Sequence, residues 1–230
     1  YIATWTGWFA TSTGYDRNYA QLNGVNTPII APLYSLFEYH KEIYHFMATL
    51  SLHHPYESQP WDWLVISRPV AFWWQSYSNA AGTHLAPAKT TGPYVAEVLA
   101  LGNPAIWWVS IPALLFCTCW WLTRRDWRAG TAVLCFLAGW ATWLPWPGRT
   151  KFYYYALEFE PFIIICIVLC LGLMIGPVTA SLRRRAIGSG LAGVYVLAAL
   201  LLFWYFYPIL SFEVIPYSDW LTHMWYSGWI

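Results

Sequence analysis

Residues 101–123 read LGNPAIWWVSIPALLFCTCWWLT, a run without one charged side chain. About 20 predominantly apolar residues let a helix cross the hydrocarbon core of a bilayer, so the run reads as a membrane span, closed by Arg124, Arg125 and Arg128. Three more follow. The second covers Gly130–Trp146 and ends in the sharp turn PWPG at 145–148. The third begins near Ala156 with Glu158 and Glu160 at its start, runs to about Leu182, and is stopped by Arg183, Arg184 and Arg185. The fourth runs from Ala186 to about Leu210, with Trp204, Tyr205, Tyr207 and Pro208 marking its far interface.

The whole chain has the same character. Of its 230 residues, 58% are hydrophobic, 20% aromatic and 10% charged, against roughly a quarter charged in a soluble domain. The expected fold is an all-α polytopic membrane protein: a four-helix transmembrane domain over 101–210, preceded by a long loop region and followed by an aromatic tail, 211–230. A net charge of +1 excludes a nucleic-acid binder, which needs a basic surface to neutralise phosphates. The five cysteines lie inside apolar runs, where thiols behave as small hydrophobes. Cys117 and Cys119 point about 200° apart on a helix and lack partner ligands, so no metal site is expected.

Upstream, residues 1–10 (YIATWTGWFA) resemble the end of a membrane helix, which suggests the C-terminal half of a longer protein. Residues 11–100 form the loop region. Its first part is rich in Gly, Asn, Thr and Pro and favours irregular backbone. Leu33, Leu36, Phe37, Ile43, Tyr44, Met47 and Leu50 then recur at spacings of three and four, opposite Glu38, Lys41, Glu42 and His45. That pattern predicts an amphipathic helix over about 33–50, lying along the membrane interface or packed on the bundle. Short strands or extended segments are expected over residues 70–98, where aromatic and β-branched runs alternate with Gly, Pro and Ser.

Basic residues in short loops are retained on the cytoplasmic side. The arginine-rich loops 124–128 and 183–185 are therefore cytoplasmic, and 11–100, 147–155 and 211–230 share the outer face. Arg149 and Lys151 sit in a short outer turn where basic residues are usually scarce. A guanidinium that can grip phosphate oxygens bidentately beside an ammonium acting as a point charge suits an anionic lipid headgroup. An ion pair with Glu158 or Glu160, or plain lipid anchoring, would also account for them.

The second candidate region is HHPYESQPWDWLVISRP, His53 to Pro69. His53, His54, Tyr56, Glu57, Ser58, Trp61 and Arg68 are its candidates for recognition or chemistry at the outer face. Glu57 has the chemistry of a general base and His53 or His54 that of a proton shuttle. A proline-aromatic loop folded back on the bundle with its polar groups satisfied by backbone would have the same composition. Asn103, Tyr154 and Glu158 are secondary candidates.

HPYESQPWDWLVISRP at 54–69 resembles the HPYxSxPWxWxxxxRP motif of the protein O-mannosyltransferases, and EYHKEIYHF (38–46), LGNPAIWW (101–108) and GRTKFYYYALEFEPF (148–162) agree in order. With the four closing helices, the resemblance covers nearly the whole chain. It implies a GT-C-type membrane glycosyltransferase that moves mannose, with inversion, from polyprenyl-phosphate mannose to Ser or Thr hydroxyls of acceptor polypeptides. The reaction would take place on the outer face of the plasma membrane. The loop over 11–100 is too short for the β-trefoil domain of fungal and animal members, so the chain is more similar to a bacterial one. The resemblance makes Arg149 and Lys151 the donor-phosphate ligands and the His53–Arg68 loop the part that lines the cavity and helps admit the acceptor. The family's acidic Asp-Glu pair, thought to hold the catalytic base, belongs to its N-terminal half and matches no residue here. At Tyr154 the family often has His. The implied partners are the lipid-linked donor, the acceptor, membrane lipids, the N-terminal half and the protein translocation machinery; no further cofactor is evident.

Two other classes fit the composition. A transporter or channel subunit would use the membrane glutamates and clustered aromatics, but the two helical pairs show no internal repeat. A non-catalytic scaffold half is the other.

Overall fold

The computed structural model describes residues 1–77 and 93–230 and divides into two compact units, Tyr1–Leu52 and His53–Ile230. Within the first unit, α1 (Thr6–Ala10) and α2 (Tyr19–Leu22) precede the longer α3 (Ile30–Thr49). The buried Ser35 hydroxyl accepts the Ala20 backbone N–H at 3.0 Å, tying α2 to α3. The predicted apolar stripe falls on α3, but only Leu36 of it is buried in this unit; Leu33, Phe37, Tyr44 and Met47 are exposed.

The second unit opens with the motif segment and its single turn α4 (Pro60–Trp63), followed by β1 (Val70–Tyr77) and β2 (Tyr94–Ala100). Four long helices come next: α5 (Pro104–Arg124), α6 (Trp127–Ala141), α7 (Glu160–Ile175) and α8 (Leu182–Leu210). The chain closes with β3 (Ile215–Pro216) and α9 (Tyr217–His223). β2 is the centre of an antiparallel sheet in the order β1-β2-β3, with a register irregularity between Ala71 and Trp73. The all-α expectation is corrected here: β-branched and aromatic residues over 70–77 and 94–100 pair as strands. The part of the expected extended stretch at 78–92 lies outside the described residues.

The helix boundaries follow local chemistry. Asn103 caps α5 by accepting the Ala105 N–H, with Pro104 at the first helical position, where its missing N–H costs nothing. Arg125 takes a left-handed conformation (φ 52°) and Asp126 caps α6 directly afterwards, so α5 and α6 are joined by two residues. Three sequence boundaries move. The second helix is Trp127–Ala141, ahead of a turn rather than reaching Trp146. The third ends at Ile175, because Gly176 at φ 83° and Pro177 break it well before Leu182. Arg183, Arg184 and Arg185 consequently lie in the first turn of α8 instead of closing α7. Of the four helices, α5 and α8 are long and apolar enough to cross a membrane, and α7 is apolar but shorter.

At one end of this bundle stand the start of α5, the turn before α7, the end of α8 and the sheet; the arginine-bearing ends stand at the other. The sheet is anchored just past the end of α8 by the Phe212 N–H, which donates to the Glu97 carbonyl at 3.2 Å. The tail, which has no span of its own in the sequence, is built into this end: Trp220 and Trp229 are buried, and Trp229 Nε1 donates to the Ile66 carbonyl at 2.6 Å.

α7 and α8 come into backbone contact at Gly188, where a Cβ would overlap the carbonyl oxygen of Met174 and lie 2.6 Å from Ile175 Cα. Backbone cannot give way cheaply, so Gly188→Ala is expected to cost about 1–3 kcal/mol and lower the thermal midpoint. Gly190→Ala adds its methyl in open space and should leave the midpoint unchanged or higher. Equal midpoints for the two variants would remove the close-packing account.

Candidate functional site

The motif segment and the turn after α6 are sewn together by backbone. Glu57 and Phe152 form an antiparallel bridge, and the Ser58 N–H donates to the Lys151 carbonyl at 2.9 Å. Two indole donors fix the frame: Trp140 Nε1 reaches the Pro60 carbonyl at 2.9 Å, and the fully buried Trp63 donates to the Ser58 hydroxyl at 3.0 Å. Regions about ninety residues apart thus form one ridge, at the end of the bundle away from the arginine-bearing turns.

Both predicted cations stand on this ridge and both are buried, Arg149 at 7% exposure and Lys151 at 1%. The Arg149 guanidinium lies over Trp143 (4.9 Å) and Tyr155 (5.6 Å), two rings stacked at 4.6 Å and 8° from parallel. Rings attract a cation most when water is excluded, so this pair stabilises the buried guanidinium. The Lys151 ammonium donates to the Trp146 carbonyl. Burial, and then the neighbouring Arg149 charge, push its pKa below the ordinary value, while Glu57 pulls the other way. Two cations buried together raise each other's cost, and an anion bound between them would lower it.

Next to the cations, His53 Nδ1 and Glu57 Oε1 are 2.7 Å apart on an exposed turn, and the other Glu57 oxygen accepts the His54 N–H at 3.4 Å. The His54 ring packs edge-on against Phe152 at 5.1 Å. Tyr56 carries the Arg68 guanidinium over its ring at 5.2 Å. Arg68 faces the tail: it donates to the Pro55 carbonyl at 3.1 Å and to the carbonyls of Gly228 and Ile230, each at 2.7 Å. Trp61 is exposed.

A pocket of about 310 Å³ opens between the end of β2, the start of α5 and the turn Tyr153–Glu158. Asn103 and Tyr154 line it, as do Phe72, Trp107, Tyr153 and Glu160; Glu158 is exposed and Glu160 takes the place expected for it. Gly102 lets the Trp107 indole and the Tyr153 hydroxyl close on the backbone, where a Cβ would overlap both. Asn103 is held by its cap and by a 2.7 Å bond from Nδ2 to the Ala199 carbonyl on α8. Burial pushes the Tyr153 phenol well above its ordinary pKa, so it stays protonated as a donor.

Of the residues singled out in the sequence, Arg149 and Lys151 stand on the ridge beside Glu57 and Ser58, and Asn103 and Tyr154 line the pocket; Trp143, Tyr155, Trp107 and Tyr153, which pack around them, were not singled out. A signal was present in FYYY: the tight helical turn there advances about 120° per residue. Three consecutive tyrosines are thereby sent to different surroundings, Tyr153 to the interior and Tyr155 to the guanidinium, with Tyr154 on the pocket wall. Among the described residues no group of three or more His, Cys, Asp or Glu could hold a metal.

Residues 32–229 match the family described as the C-terminal four TMM region of protein-O-mannosyltransferase. A Mycobacterium tuberculosis protein named polyprenol-phosphate-mannose--protein mannosyltransferase is 31% identical across the whole of this chain. A protein of the same name from Mycolicibacterium smegmatis is 30% identical. The chain spans 44% of the length of each of these relatives. Among solved structures, the Saccharomyces cerevisiae protein O-mannosyltransferase Pmt1-Pmt2 complex bound to the sugar donor shares the fold. The TM-score is 0.65 at 22% identity, over 89% of this chain and 28% of that one.

Proposed function

The chain belongs to the protein O-mannosyltransferase family, and from that premise we propose that it supplies the C-terminal part of an inverting enzyme moving mannose from polyprenyl-phosphate mannose to Ser or Thr hydroxyls of polypeptides. The carrying observation is the ridge that brings Arg149 and Lys151, both buried, alongside the motif residues Glu57 and Ser58. Cleavage of the sugar–phosphate bond leaves negative charge on the departing phosphate. A fixed guanidinium and an ammonium at that position stabilise it as it develops. The aromatic and amide lining of the neighbouring pocket suits a sugar, with Phe72 and Tyr154 offering ring faces and Asn103, Tyr153 and Glu160 offering polar groups.

In this reading the exposed His53–Glu57 turn faces the acceptor polypeptide, and the base for its hydroxyl is assigned to no residue of this chain. α5 to α8 span the plasma membrane with the ridge on the outer side, since the two arginine-rich turns at the opposite end favour the cytoplasm. α3 lies along the interface, its exposed Leu33, Phe37, Tyr44 and Met47 meeting lipid.

The test is transfer of labelled mannose from polyprenyl-phosphate mannose to a Thr-rich peptide by membranes carrying the protein. Because burial and Arg149 lower the Lys151 pKa, the ammonium is lost at a lower pH than an ordinary lysine. Donor affinity should therefore fall on an alkaline limb that begins below the usual lysine range. Lys151→Arg, charged at every accessible pH, should displace that limb upward. A limb at the same pH in both proteins would remove Lys151 from the donor site, and absence of any mannosyl transfer would remove the function.

A further inference from the structure

We infer that the end of the bundle opposite the ridge holds one anionic phospholipid, its headgroup at Arg183 and Arg184 and an acyl chain between α5, α7 and α8. Two adjoining hollows make the site. The first, about 430 Å³, is lined by Ser181, Arg183 and Arg184 above an apolar floor that includes Ile187. The second, about 560 Å³, is a trough whose walls include Pro112, Ile167 and Leu171. Met174 and Leu191 line both, so a basic mouth continues into an apolar groove. The polar end of Tyr195, also in the trough, is turned away: its hydroxyl donates to the Ala105 carbonyl at 3.2 Å.

The charges point to an anion. The first turn of α8 carries three arginines and no acidic residue, although the helix macrodipole disfavours cations at an N-terminus. Among the described residues no ion pair joins Arg183, Arg184 or Arg185 to a carboxylate; Asp126, in the neighbouring cytoplasmic turn, is held by Arg128 at 2.7 Å. A phosphate at this mouth meets the guanidinium groups beside a helix N-terminus, whose Arg184 N–H is already capped by the Ser181 hydroxyl at 3.4 Å. The groove gives its acyl chain a place that a soluble phosphate could not use. A membrane lipid with one negative head and apolar tails matches that sequence of surfaces, whereas a zwitterionic lipid brings a cation to the same arginines.

Native mass spectrometry of the detergent-purified protein, titrated with phosphatidylglycerol or phosphatidylcholine of identical acyl chains, tests this without reference to mannosyl transfer. At least tenfold preferential retention of phosphatidylglycerol is expected. Arg183→Gln with Arg184→Gln should reduce that preference below twofold. Arg124→Gln with Arg125→Gln, in the other basic turn, should keep it. Leu191→Trp fills the junction with all charges intact and should reduce phosphatidylglycerol retention about as much as the arginine pair. Unchanged preference in the Arg183/Arg184 variant, or full retention in Leu191→Trp, would overturn the site. So would displacement of the bound lipid by soluble glycerol phosphate, which would show that the groove has no part. A failure of the proposed glycosyl transfer would leave all these readings in place.

Discussion

Arg149→Ala is expected to lower mannosyl transfer by roughly 10²–10³-fold, the usual consequence of removing one preorganised charge-stabilising donor, while the protein still inserts and folds. The guanidinium lies within 4.9 Å of the Trp143 ring centre and 5.6 Å of that of Tyr155, so its placement is part of the effect. Arg149→Lys keeps a charge but loses the planar fork and the stacking, and should recover only part of the rate. The measurement is initial transfer rate at saturating acceptor, with membrane insertion checked by fractionation. Turnover at the parent rate in Arg149→Ala would take the donor phosphate away from this ridge.

Glu97 carries the second large expectation, on stability. It sits on the central strand at 3% exposure and accepts the Trp220 indole N–H at 2.6 Å. Burial raises its pKa from 4.5 to about 7, against the opposing pull of that hydrogen bond. The folded carboxyl therefore keeps a proton that the unfolded chain has released. Stability falls as pH rises from about 4.5 to about 7, and the penalty is complete above that range. At 1.36 kcal/mol per pKa unit it is on the order of 3 kcal/mol. Glu97→Gln keeps an acceptor for Trp220 and cannot ionise. It should match the parent near pH 5 and melt roughly 6–12 °C higher at pH 8.5, on the usual conversion for a chain of this size. Parallel melting curves across that range would show that the carboxyl is not buried as described.

The four long helices were legible because uninterrupted apolar runs have few other uses, and their order and count in the sequence match the observed bundle. Their ends were less legible. Gly176 and Pro177 terminate α7 inside a run that composition alone continues to Leu182, because a positive φ at one glycine outweighs several apolar neighbours. The sheet was visible only as a mixture of strand-forming residues: β1 and β2 pair with each other along most of their length, but the third strand, β3, is two residues that no periodicity marks. In the candidate site, charge was the readable signal: Arg149 and Lys151 are conspicuous in a short turn between two apolar runs. The rings that hold them were not, because tryptophan and tyrosine are abundant throughout this chain and their partners are set by tertiary contacts. Arg68 shows the same limit, being legible as a motif residue but not as one bonded to Gly228 and Ile230.

That last attachment makes the two ends of the second unit a single mechanical part. Gly228 also packs where a Cβ would overlap the Ser67 carbonyl oxygen, so residues 227–230 act as a buckle on the motif loop rather than as a trailing strand. Substitutions at 227–230 should behave in a mutational scan like substitutions at 66–68, and variation at one place in related sequences should be accompanied by variation at the other.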